Sequence, residues 1–71
     1  MQLLTEVRAS TLCRIKWMLG LPDETEEELN HAQIQQGSEI CVIQNNGCGM
    51  IIGSGTHRIA MGAETAQKIR V

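Results

Sequence analysis

The sequence predicts a mainly β fold, a small barrel of four or five short strands with one helix in the N-terminal half and a short helical turn near the C-terminus. Short apolar runs with strand character recur along the chain and are separated by glycine turns. One acidic segment, residues 23–28, interrupts them with a helical pattern. A length of 71 residues fits a single domain, residues 1–71, that buries only a modest core.

The first predicted strand covers residues 11–19, where apolar and charged residues alternate. One face carries Cys13, Ile15, Trp17 and Leu19, and the other carries Arg14 and Lys16. This period of two is typical of a half-buried strand, so we expect the four apolar side chains to point inward. Gly20 and Pro22 end the strand.

A helix is predicted from Asp23 to about Ile34. Asp23 followed by Glu26 fits a capping box, in which each side chain binds a free backbone N–H at the helix start. The carboxylates of residues 23–28 lie where the helix dipole favours negative charge. Gly37 is expected to stop the helix.

Three further strands follow, at residues 38–46, 48–53 and 57–61. Asn46-Gly47 predicts a two-residue type I′ turn, which places Asn45 opposite Cys48 and Cys41 opposite Ile52. A second tight turn is predicted at residues 53–55, and residues 63–68 are expected to form a helical turn before an extended end at 69–71.

Composition argues against several classes of function. The net charge is −2, the six basic residues are spread out, and Trp17 is the only aromatic residue apart from histidine, so nucleic-acid binding is not expected. No apolar run approaches the ~20 residues of a membrane helix, and the N-terminus does not resemble a secretory signal. Three cysteines without framework spacing fit a reducing cytoplasm. We therefore expect a cytoplasmic protein without direct membrane insertion.

No catalytic arrangement is evident, and the chain is not expected to be an enzyme or to require a cofactor. The glycines of residues 47–55 complete neither phosphate-binding loop motif. Asp23 is the only aspartate, and its predicted role is in the helix cap. A proline-peptide receptor is also excluded, because its groove needs several aromatic side chains.

Three segments carry a family resemblance. They read I-Q-Q-G-S-E-I-C-V at residues 34–42, I-A-M at residues 59–61 and A-Q-K-I-R-V at residues 66–71. This pattern resembles the FeoA family, and the match covers nearly the whole chain. Members usually carry glycine where Gln33 stands, proline where Gln36 stands and arginine where Gly62 stands.

The resemblance implies an SH3-like barrel that acts as an accessory or regulatory protein of ferrous iron uptake. Its implied partner is FeoB, the membrane GTP-binding iron transporter, which would bring the chain to the inner membrane from the cytosolic side. Loops on a rigid scaffold commonly carry recognition, so we predict partner contacts at Asn46, Gly47, Ser54 and Thr56.

A transition-metal-binding or metal-sensing protein is the alternative, with Cys48, Cys41 and His57 as candidate ligands for Fe²⁺ or a similar ion. The spacing lacks the close pairs of structural zinc sites. In the predicted hairpin, Cys41 and Cys48 share a face but lie roughly 13 Å apart. Cys41, out of phase with Ile40 and Val42, is expected to be exposed, whereas Cys13 is expected to be a small buried apolar residue.

Overall fold

Six short strands and two helices surround one apolar core in the computed structural model, which describes all 71 residues. The strands are β1 (Thr11–Arg14), β2 (Trp17–Met18), β3 (Glu39–Asn45), β4 (Gly49–Ser54), β5 (His57–Gly62) and β6 (Ile69–Arg70). The helices are α1 (Asp23–His31) and α2 (Ala63–Ala66), and a 3-10 turn covers Leu4–Glu6. The predicted mainly β fold with an N-terminal-half helix and a C-terminal helical turn is confirmed.

Two antiparallel sheets form the molecule. The larger has the order β1-β3-β4-β5, and the smaller pairs β2 with β6, with Leu3 bridging to Arg70 on the other side of β6. Alternate side chains of β4 and β5 point inward, as expected for sheets that face solvent on one side. Neither helix combines the length and hydropathy that a membrane-crossing helix needs.

The core is a single cluster of 16 buried residues drawn from both sheets and both helices. All of them are aliphatic or methionine, and the fully enclosed ones include Leu4, Ile15, Ile52 and Ile69. No polar or charged residue is buried. Because the chain has no phenylalanine or tyrosine, closely packed branched aliphatic side chains fill the core instead.

The single strand predicted at residues 11–19 is wrong, because the chain changes partner at its middle. The N–H of Ile15 donates to the carbonyl of Ser38 at 2.9 Å, and the N–H of Lys16 donates to the carbonyl of Arg70 at 2.8 Å. The segment therefore passes from the edge of β3 to the edge of β6 and forms two strands in two sheets.

This change of partner also shifts the alternation by one residue. Ile15 is fully buried, but the next inward side chain is Met18, opposite Ile69. The expected inward orientation of Trp17 and Leu19 is wrong, since 39% of Trp17 and 67% of Leu19 are exposed.

The predicted capping box at the start of α1 is also wrong. The helix begins at Asp23 itself, Pro22 occupies the N-cap position, and no side chain caps the first turn. The carbonyl of Pro22 accepts the first helical bond, from the N–H of Glu26 at 3.0 Å. The acidic first turn does match the helix dipole, as expected.

The helix ends at His31, several residues before the predicted end. Gln33 adopts a left-handed backbone (φ +59°), its N–H donates to Asn30, and the N–H of Ile34 donates to Leu29 at 2.8 Å. This pair of bonds is a Schellman motif, which usually has glycine where Gln33 stands. Gly37 (φ +94°) belongs to the following turn, not to the end of the helix.

The β3–β4 hairpin differs in register from the prediction. Cys41 lies opposite Gly53 and Asn45 opposite Met50, because the register shifts between Val42 and Gln44. The type I′ turn is wrong as well: at the tip only Gly47 has a positive φ, +87°. The extra residue, Ile43, forms a β-bulge, and no local sequence signal predicts it.

Candidate partner-binding surfaces

The turn between β3 and β4 is built by the side chain of Asn46. Its Oδ1 accepts hydrogen bonds from the N–H groups of Cys48 and Gly49, both at 3.0 Å. Gly47 supplies the positive φ that the turn requires. Asn46 and Gly47 are both exposed, so they can meet a partner, but each also has a clear role in shaping the turn.

The turn between β4 and β5 is a two-residue connection, because Ser54 pairs with His57. Gly55 at its first position has φ +59°, as in turns that need glycine there. The guanidinium of Arg58 donates to the carbonyls of Gly55 and His57 at 3.1 and 2.9 Å and so braces this turn. Thr56 is exposed and Ser54 is half-buried.

These two turns lie at opposite ends of β4, roughly 17–20 Å apart for a strand of this length. The four residues predicted to bind a partner therefore form two separate groups, Asn46 with Gly47 and Ser54 with Thr56. Their role in binding stays a prediction.

The candidate metal ligands do not converge. Cys48 lies in the turn before β4, His57 follows the far end of that strand, and Cys41 lies in the middle of β3. No group of three or more His, Cys, Asp or Glu side chains is placed to hold a metal ion. Each residue as a ligand stays a prediction, but one copy of the chain does not bring the three together.

The three thiols differ in their surroundings. Cys48 is exposed, whereas Cys41, expected to be exposed, is partly buried. Cys13, expected to be buried, is partly buried and packs against the core. Burial raises the pKa of the Cys13 thiol, and the neighbouring Cys41 adds a smaller effect in the same direction.

The outer face of the larger sheet is apolar. Leu12 is 65% exposed and Ile43 is 37% exposed. Ile43 and Arg58 lie over Gly53, where an added Cβ would come within 2.7 Å of Ile43 Cδ1 and 3.1 Å of the Arg58 guanidinium. Gly53 thus allows two side chains to cover the middle of the sheet.

A shallow groove of about 360 Å³ lies on the same side of the sheet, between the β3–β4 turn and β5. Its lining includes Asn46, Ile51, Ala60 and Gly62. A side chain at position 62 would project into open space. The arginine that the FeoA resemblance suggests there is thus sterically allowed, and its absence leaves the groove open.

A smaller crevice of about 160 Å³ separates α1 from the end of β2. Five of its eight lining residues are apolar, Met18, Leu19, Leu21, Leu29 and Ile34, and the other three are Glu26, Asn30 and Gln35.

The outer face of the smaller sheet carries Trp17, the only tryptophan in a chain without phenylalanine or tyrosine. The Arg70 guanidinium stacks over the Trp17 ring, 5.4 Å from its centre. Leu19 extends the apolar surface beside Trp17. We call Trp17, Leu19, Lys68 and Arg70 the Trp17 face. Sequence reasoning missed this surface because it placed Trp17 inside.

Comparison with known proteins agrees with this fold. The FeoA domain family matches residues 2–71. A crystal structure of an iron uptake regulatory protein (FeoA) superposes with a TM-score of 0.76 at 23% identity, covering 96% of this chain and 91% of that one. No curated protein matches the sequence. Since the family match spans almost every residue, the chain belongs to the FeoA family.

Proposed function

We propose that this chain is a non-catalytic accessory or regulatory protein of ferrous iron uptake that binds the cytosolic part of a FeoB-type transporter. Membership in the FeoA family, over residues 2–71, is the observation that carries the proposal. It supports a role in ferrous iron uptake directly, and binding to FeoB is the further step that the proposal adds.

The surface of the molecule fits a binding role. Its grooves are shallow and small, about 160 and 360 Å³, whereas exposed apolar side chains such as Leu12, Trp17 and Leu19 lie on rigid strands or next to them. Apolar side chains held by a sheet lose little freedom on binding, which favours contact with another protein.

A calorimetric titration tests the proposal. The purified chain, kept reduced, is added to the purified cytosolic GTP-binding domain of the transporter from the same genome. We expect saturable one-to-one binding with a dissociation constant in the micromolar range, about −8 kcal/mol. An unrelated small GTP-binding domain serves as the control. Absence of heat and of amide shifts at millimolar concentrations would remove FeoB binding from the proposal.

A further inference from the structure

We infer that the Trp17 face binds the protein partner, and that the partner contributes an acidic segment with at least one apolar side chain. The inference rests on the proposed function, because it names the surface used by that partner. It depends on three observations: the exposure of Trp17, the arrangement of cations around it and the position of the acidic helix.

The exposure of Trp17 is unusual for this composition. The chain has one tryptophan and no phenylalanine or tyrosine, yet its core is entirely aliphatic and methionine, and 39% of the tryptophan stays in solvent. Leu19, two residues along, is 67% exposed. Tryptophan is enriched at the centres of protein interfaces, where it supplies a large apolar area with little loss of side-chain freedom.

Two basic residues lie beside this apolar surface: Arg70, and Lys68, whose carbonyl accepts from the N–H of Leu19 and whose ammonium donates to the carbonyl of Gly20 at 3.1 Å. Arg70 is opposite Trp17 in the β2–β6 pair, and its guanidinium is held by both the indole ring and the carbonyl of Gln67. A fixed guanidinium can bind a carboxylate with two hydrogen bonds at little further entropy cost. The Trp17 face is therefore complementary to a segment that combines a carboxylate with an apolar side chain.

The position of α1 favours a polypeptide over an anionic membrane. Leu19 and Glu26 line the same crevice, so the acidic helix borders the Trp17 face. Residues 23–28 contain five carboxylates, and a flat anionic surface that approached Trp17 would be repelled by them. A peptide segment needs to bring only its carboxylate to Arg70, opposite Trp17 in the β2–β6 pair.

The outer face of the larger sheet offers a matched comparison. Leu12 there is 65% exposed, nearly the same as Leu19. That face has no aromatic ring, and the guanidinium of Arg58 is used by two carbonyls of its own turn. This face has equal apolar exposure but no aromatic ring and no cation stacked on one. It therefore distinguishes non-specific apolar association from binding at a specific surface.

The experiment is a titration of the ¹⁵N-labelled chain with the cytosolic domain of the FeoB-type transporter. The single tryptophan gives one indole N–H signal, which we expect to shift. Leu19→Ser and Arg70→Gln should each weaken binding by about tenfold or more, as for central interface residues. Leu12→Ser and Arg58→Gln should change it less than about twofold. Amide spectra of all four variants confirm that each is folded.

Four results would overturn the inference. Binding whose shifts map to residues 46–47 and 54–56, with Leu19→Ser unaffected, would leave the proposed function intact and move the site to the hairpin turns. An indole shift with phosphatidylglycerol vesicles but not with the domain would identify a lipid surface. An indole shift on concentrating the chain alone would identify a second copy as the occupant. No binding at all would remove the proposed function together with the inference.

Discussion

Asn45 ties the N-terminal segment to the β3–β4 hairpin through its side-chain amide. Its Nδ2 donates to the carbonyls of Thr5 and Val7 at 3.0 and 2.9 Å, and its Oδ1 accepts from Gly47. The 3-10 turn and the hairpin tip are thus held by one residue. Local sequence patterns could not assign this role, because both carbonyl partners lie about 40 residues away along the chain.

We predict that Asn45→Asp lowers the free energy of unfolding by about 2–3 kcal/mol at pH 7, since a carboxylate would face two carbonyl oxygens and lose both donors. The pKa of the introduced aspartate would be raised in the folded chain, so the loss should grow as pH rises above the ordinary pKa of aspartate; at lower pH the neutral carboxyl still donates one hydrogen bond and the loss is smaller. Urea unfolding at pH 4 and pH 7 measures this. The control is Gln44→Glu, the same change at an exposed neighbour; an equal loss there would mean that net charge is responsible.

The three thiols should react in an order set by their burial. At pH 8 we expect exposed Cys48 to be alkylated by iodoacetamide first and Cys13 last, because Cys13 packs against the core and its raised pKa leaves less reactive thiolate. Mass spectrometry of timed samples gives the order, and the urea-unfolded chain should lose these differences. Early modification of Cys13 in the folded chain would contradict its placement.

At the level of elements, α1 ends with the left-handed residue Gln33 where glycine is usual. We predict that Gln33→Gly raises the free energy of unfolding by about 0.5–1 kcal/mol, because relief of left-handed strain exceeds the added freedom of the unfolded chain. Gln67, which follows α2 with φ −63°, is the matched control. Gln67→Gly should destabilise, and a gain at both positions in thermal unfolding would disprove the backbone explanation.

The turn after α1 offers a second prediction. The N–H of Ser38 donates to the carbonyl of Gln35 at 2.9 Å and Gly37 has φ +94°, which fits a type II turn with Gln36 at the position that favours proline. Gln36 donates no backbone hydrogen bond, so Gln36→Pro should stabilise by about 0.5–1 kcal/mol. Gln35→Pro should destabilise, because the Gln35 N–H donates to the Ser38 hydroxyl. Urea unfolding of both variants measures these two changes and tests the assignment of the type II turn.

The sequence was most informative where structure depends on near neighbours. The strands β3, β4 and β5 have almost the predicted bounds, since alternation and glycine turns are local signals. The split of residues 11–19 could not be read, because the partner of Lys16 is Arg70, at the other end of the chain. The same split exposes Trp17, so the proposed binding surface could not be predicted from the sequence either, because it too depends on pairing with the distant β6. The hairpin turns, which depend on local residues, were located correctly.

On the scale of the whole molecule, one core joins the two sheets. Ile69 of β6 and Ile52 of β4 are both fully buried in the same cluster of 16 residues. The chain ends are also joined, since the N–H of Gln2 donates to Val71 at 3.0 Å and the N–H of Val71 donates to Gln2 at 2.9 Å. The smaller sheet therefore has no core of its own and should not unfold separately.

We predict that Ile69→Val lowers the free energy of unfolding by about 0.5–1.5 kcal/mol, as is usual for the loss of a buried methylene. Trp17 fluorescence reports on the smaller sheet and far-UV circular dichroism on the whole fold, so both urea midpoints should fall together. Ile43→Val, on the half-exposed outer face, should change neither by more than about 0.5 kcal/mol. If only the fluorescence midpoint moved, the β2–β6 sheet would be a separate unit. The Trp17 face could then open without the rest of the fold, and a partner would have to order it on binding. Coincident midpoints instead mean that the partner meets a surface already formed.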